Sequence, residues 1–168
     1  MNKLHNRLLR SALLAIAGLA PAAAFAGSGT NNLAVSATVS SSCSITSTTA
    51  LAFGTATAST LPLDGQGALS FTCTNTTPWM VFGDVGQNAS GSQRRMVNAG
   101  QYLAYNIYSD SARSTVFPVA LGSLGSGNTG GTGTGLSQTV TVYGRIPAGT
   151  ALPAPGTYTD TIVLTLNW

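Results

Sequence analysis

The closing segment GTYTDTIVLTLNW, residues 156–168, alternates along its length. Tyr158, Ile162, Leu164, Leu166 and Trp168 fall on one side, and Thr159, Thr161, Val163, Thr165 and Asn167 on the other. Successive Cβ atoms of a pleated strand point to opposite faces, so period two predicts a long strand with one buried face. Such a face needs a second layer over it. The sequence stops at Trp168 with no turn to bring back a covering partner, so this strand is expected to end the fold with one side uncovered.

The rest of the chain repeats the theme in shorter pieces. Strand signals occur at CSIT (43–46), LAFG (51–54), GALSFTC (67–73), PWMVFG (78–83), RRMVN (94–98), QYLAYNIYSD (101–110) and LSQTVTVYGRI (136–146). Alternation places Leu69, Phe71 and Cys73 on one side of their strand, and it sets Leu103, Tyr105 and Ile107 opposite Tyr102 and Tyr108. Between strands, residues 83–93 and LGSLGSGNTGGTGTG (121–135) have loop composition. Gly125, Gly127 and Gly130 match a G-x-G-x-x-G spacing, but a strand signal comes after them instead of a helix, so a flexible loop is predicted and no dinucleotide cofactor. Short strands at regular spacing without a convincing helix predict an all-β sandwich.

Residues 1–26 read as a secretory signal. Lys3, Arg7 and Arg10 precede an apolar run from Ala12 to Ala20; Pro21 breaks it, and Ala24-Phe25-Ala26 offers a cleavage site. No later stretch approaches the ~18 uninterrupted apolar residues of a membrane-spanning helix. The net charge of +3 belongs to the leader alone. The chain beyond the leader carries Arg94, Arg95, Arg113 and Arg145 against Asp64, Asp84, Asp110 and Asp160. A formally neutral chain with one adjacent basic pair does not track phosphates, so nucleic acid is not an expected partner. Ser, Thr, Asn and Gly fill the polar positions that Lys and Glu occupy in helical proteins, which again favours sheet.

The same inventory argues against catalysis. Once the leader with His5 is removed, no His, Lys or Glu remains, and acid–base work would fall to four scattered aspartates or the tyrosines. No metal or cofactor is expected. Asp160 falls on the inward side of the alternating pattern and is expected to serve a structural hydrogen bond or to sit at a sheet edge. A rival reading is an adhesin binding surfaces through exposed aromatics, for which Trp79, Tyr102 and Tyr108 are the candidates.

Cys43 and Cys73 are the only two cysteines, in a chain expected to reach an oxidising compartment, so one disulfide is predicted. Closing such a loop stabilises by about 3.5 kcal/mol in the chain-entropy model. Just before Cys43, NNLAVSATVSSSC (31–43) alternates again, with Leu33, Val35, Ala37 and Val39 on one side. The residues alone leave two assignments for 31–40: the first strand of the chain's own sandwich, or a strand made for a neighbouring molecule.

Taken in order, the strand-then-Cys start at 33–43, LAFG at 51, FTC at 71, RRM at 94, YLAYNIYSD at 102, VYGRI at 142 and PGTYTDTIVLTLNW at 155 resemble the spore coat protein U domain family, including subunits of archaic, Csu-type chaperone-usher pili. One departure is TVFPVALGS (115–123), where many relatives carry a Trp-Gly pair. The resemblance implies an incomplete immunoglobulin-like β-sandwich completed by a donated strand, with residues 27–41 as the N-terminal donor segment and 42–168 as the pilin-like domain. Tyr158, Ile162, Leu164, Leu166 and Trp168 would line the acceptor groove, and Leu33, Val35, Ala37 and Val39 would fill a neighbour's. The implied partners are a periplasmic chaperone, an outer-membrane usher and neighbouring subunits, and the implied role is a structural pilus subunit supporting adhesion and biofilm formation. The alternatives are a spore-coat-type structural protein or a minor or tip adhesin.

Overall fold

A computed structural model describes residues 26–168; all but the last residue of the expected leader lies outside them. The chain divides into two units at Ala37 and Thr38. In the first, residues 26–37 carry no secondary structure, and the side chains of Leu33 and Val35 are 88% and 86% exposed. An extended segment becomes a strand only by pairing. The alternation of 31–40 has no ladder partner among the described residues.

The second unit, Thr38–Trp168, is all-β among the described residues. Its strands are β1 (Cys43–Thr49), β2 (Leu63–Cys73), β3 (Pro78–Gly83), β4 (Arg95–Asn98), β5 (Gln101–Ala104), β6 (Asn106–Tyr108), β7 (Gly130–Thr132), β8 (Ser137–Ile146) and β9 (Leu164–Asn167). They form a four-stranded sheet β1-β2-β8-β6, a three-stranded sheet β7-β3-β9 and the hairpin β4-β5, with every pairing antiparallel. The spine is the unbroken β2–β8 ladder from Leu63↔Ile146 to Thr72↔Ser137. Alternation in β2 and β8 turns Leu69, Phe71, Val140, Val142 and Ile146 inward, where the Phe71 ring meets Trp79 of the other sheet edge-on at 4.7 Å between centroids. Leu103, Tyr105 and Ile107 are buried as their spacing predicts.

Three strand expectations need correction. LAFG (51–54) forms no strand; it crosses the inner face of the β2–β8 pair. A Cβ at Gly65 would lie 2.6 Å from Ala52 O and one at Gly67 2.8 Å from Thr49 O, so these two glycines of β2 leave room for the crossing backbone. Conversely, the predicted flexible loop 121–135 contains β7, paired to β3 through Trp79↔Gly131. The Trp79 ring lies against this strand, 2.6 Å from where a Gly131 Cβ would be, so a glycine-rich sequence is here a strand that must admit an indole. The third concerns the C-terminus, where the ladder covers only Leu164–Asn167 of the expected strand. Residues 158–163 stay extended, but their neighbour is the irregular loop after β3. Gln87 N–H donates to Thr161 O (3.1 Å), Asp84 N–H to Val163 O (3.1 Å), and Val163 N–H to the Asp84 carboxylate (3.1 Å). Further back, Thr159 and Val97 exchange main-chain bonds of 3.2 and 2.9 Å.

Candidate functional site

All these bonds lie on one edge of the C-terminal segment. Thr159, Thr161 and Val163 point their main-chain groups toward β4 and the 84–88 loop. In an extended chain the intervening Asp160 and Ile162 point theirs the other way, and neither makes a main-chain to main-chain bond among the described residues. β9 continues this edge, paired to β3 on one side only. Across the sandwich, β1 is likewise the outer strand of its sheet, paired among the described residues to β2 alone. Two sheet edges are thus left open, and an apolar cleft separates them.

The cleft consists of two contiguous recesses. One, of about 360 Å³, has Thr48 and Thr49 of β1 on one wall and Tyr158, Ile162 and Leu164 on the other. The second, about 570 Å³, runs under residues 51–56 toward Leu152–Tyr158. Leu51, Phe53, Met96 and Tyr158 belong to both. These side chains are only half-buried, although they pack against the core. They are core residues lacking one layer of cover.

The polar groups here have structural partners. Tyr158 donates its hydroxyl to Ala154 O (2.7 Å), and Ala154 N–H donates to the Gln101 side chain (2.9 Å). This tyrosine corner fixes where the open edge starts. Asp160, facing inward as its spacing predicts, accepts from the Tyr105 hydroxyl (2.7 Å) and from the N–H and side-chain amide of Asn88 (3.2 and 3.0 Å). Burial pushes the Tyr105 phenol well above its ordinary pKa, and its bond to the Asp160 carboxylate adds to the effect. Arg94 is buried with no carboxylate of the described residues on its guanidinium; it donates to Gly83 O and Asp84 O at 2.7–3.1 Å and so holds the loop that carries the C-terminal edge. Its burial lowers its pKa. No group of three metal-ligating side chains occurs among the described residues, and none of their helices is long and apolar enough to cross a membrane.

Of the residues singled out from sequence, Tyr158, Ile162 and Leu164 line the first recess, Leu166 is buried in the core, and Trp168 is 49% exposed beyond the cleft. Cys43 and Cys73 form a disulfide that ties the start of β1 to the end of β2. Val39 is 82% exposed, and Ala37 is exposed as well. The rival adhesive surface loses Trp79, which is 6% exposed. Tyr102 does reach the surface, where Arg95 stacks on it at 4.1 Å. Sequence reasoning missed the far wall: Leu51, Phe53 and Met96 carried only strand signals.

The Spore Coat Protein U domain model matches residues 29–165. The chain belongs to that family. Among solved structures, it aligns with a chain of the CsuC–CsuE chaperone–tip adhesion subunit pre-assembly complex from archaic chaperone-usher Csu pili of Acinetobacter baumannii, at 24% identity and a TM-score of 0.50. The alignment covers 78% of this chain and 40% of that one, so the Spore Coat U chain spans under half the length of its structural relative. This likeness establishes the fold as an immunoglobulin-like sandwich. No curated protein matches the chain.

Proposed function

We propose that this Spore Coat U chain is an exported structural subunit of a chaperone-usher pilus and that it polymerises by strand donation. The observation that carries the reading is the pair of open edges, β1 and 158–167, flanking one apolar cleft. A strand laid between them meets unpaired main-chain groups and apolar recesses, which is how peptides add to an exposed sheet edge. Segment 31–40 has the matching design, with Leu33, Val35, Ala37 and Val39 on one side of an extended run. Burying these four side chains yields roughly 5–10 kcal/mol before ordering losses. Head-to-tail donation is heterologous and does not close on itself, so it builds a fibre. Before assembly the cleft is held by a periplasmic chaperone, and an outer-membrane usher receives the subunit. Adhesion and biofilm formation follow from the fibre as a whole.

Deletion of residues 27–40 is expected to leave a chain that a chaperone still captures but that cannot extend a fibre. Leu164→Asp places a charge in the cleft and is expected to abolish capture as well. Chaperone co-purification and fibre formation read out the two variants. Normal polymerisation of the deletion, or wild-type capture of Leu164→Asp, overturns the proposal.

A further inference from the structure

A chain carrying both a donor arm and an acceptor cleft can satisfy itself. The arm joins the sandwich at the head of β1, the strand that forms one wall of the cleft. Folding back needs only a hairpin between 31–39 and the free edge of β1, with Ser40-Ser41-Ser42 as a three-residue loop. That length is common in hairpins.

The structure holds this loop straight. Beyond the Cys43↔Cys73 pair, the β1–β2 line continues to Ser42 and Thr74: Thr74 N–H donates to Ser42 O (2.9 Å), and Ser42 N–H donates to the Thr74 hydroxyl (3.2 Å). The same hydroxyl has Ser40 O at 3.2 Å and Ser42 O at 3.3 Å as acceptors. Reversal at 40–42 swings the peptide before Ser42 and moves Ser40 out of reach. The bonds it breaks are those of the Thr74 hydroxyl to Ser40 and to Ser42 N–H; the Thr74 N–H bond to Ser42 O survives. The loop also lacks the glycine that three-residue hairpins favour at their left-handed position.

We infer that Thr74 is a positioning residue for strand donation: its side chain keeps residues 40–42 in line with β1 and prevents the arm from folding into its own cleft, so that it remains available to a second copy. The inference rests on the proposal that the arm is a donor. Two neutral hydrogen bonds set the scale, and losing them shifts the balance toward self-insertion by about tenfold.

The test uses the full mature chain, kept dilute, and a labelled synthetic peptide of residues 27–41, with binding followed by fluorescence anisotropy. Wild type is expected to bind the peptide. Thr74→Val is expected to bind it several- to tenfold more weakly while remaining a folded monomer, Thr74→Ala should follow Thr74→Val, and Thr74→Ser, which keeps the hydroxyl, should match wild type. Equal peptide affinity for wild type and the two hydroxyl-free variants overturns the role of Thr74 and leaves the donor reading standing. If wild type does not bind, the double variant Leu33→Asp, Val35→Asp, whose arm cannot self-insert, decides between two failures. Binding by that variant means wild type is already self-filled and overturns the positioning role alone. No binding removes the donor reading and the inference with it.

Discussion

β8 and the C-terminal segment are both long, alternating and core-facing, yet they differ in their neighbours. β8 lies between β2 and β6 and pairs with both, so its inward side chains Val140, Val142 and Ile146 are fully enclosed. Segment 158–167 has partners on one edge, part of them irregular loop, and its inward Tyr158, Ile162 and Leu164 remain half-buried. A side chain's direction is fixed by the pleat, whereas its burial depends on what lies beside and above it. The open segment is therefore where the inward face of the sandwich has a neighbour on one edge alone among the described residues.

The sharpest way to break this contrast is to truncate one residue of each kind. Ile146→Ala should destabilise the chain by about 2–5 kcal/mol, as for a fully packed isoleucine. Ile162→Ala should lose less than about half as much in the chain alone, and the gap should narrow when the 27–41 peptide is added. Urea unfolding with and without peptide measures both; equal losses without peptide would show the cleft to be closed.

A middle-sized effect comes from beneath the open segment. Tyr105→Phe leaves an Asp160 oxygen without its phenolic donor and should lower stability by about 1–3 kcal/mol. The phenol's pKa is raised in the folded state above its ordinary 10.0, so its contribution is complete below pH ~10 and is lost at higher pH, where only the unfolded chain ionises readily. Wild type should thus show an alkaline fall that Tyr105→Phe lacks, with hydrogen exchange quickening first at 158–163. An identical alkaline profile in both proteins would remove Tyr105 as the support of this edge.

The smallest effects belong to carboxylates away from the cleft. Main-chain N–H groups of Thr115 and then Ser114, with the Ser114 hydroxyl, hold Asp110 down to about 2, while the hydrogen bond from Arg145 depresses Asp64 across the β2–β8 ladder. Both pKa values are lowered, so the stability they provide is present above the ordinary 3.8 and declines as pH falls through the folded values. Asp110→Asn should flatten the acid limb of the stability curve without altering peptide binding. A changed peptide affinity would mean that this loop communicates with the cleft.

The parts that could be read from sequence are those governed by nearest neighbours along the chain. Strand signals announce β2, β3 and β8, alternation gives the inward set Leu69, Phe71, Leu103, Tyr105 and Ile107, and two cysteines in a chain expected to be exported announce their disulfide. The regions that escaped depend on what crosses over them. LAFG resembles a strand locally, but Gly65 and Gly67 let its backbone pass over a sheet face. Gly130–Thr132 resembles a loop locally, but β3 supplies a ladder and Trp79 demands the absence of side chains. The wall that carries Tyr158, Ile162 and Leu164 is a single alternating run. The other is assembled from β1, residues 51–56 and Met96, which no spacing connects.

The disulfide lies one residue beyond the root of the arm, and that placement bears on mechanics. In a fibre joined through such arms, tension on a subunit enters at Ser40–Ser42 and reaches Cys43 before any other residue of β1. There it divides: a covalent bond carries it sideways into Cys73 and the ten-pair β2–β8 ladder, which is loaded along its strands, and β1 is spared from peeling. Links built this way should yield first at the non-covalent joint between molecules and only later by unravelling within one.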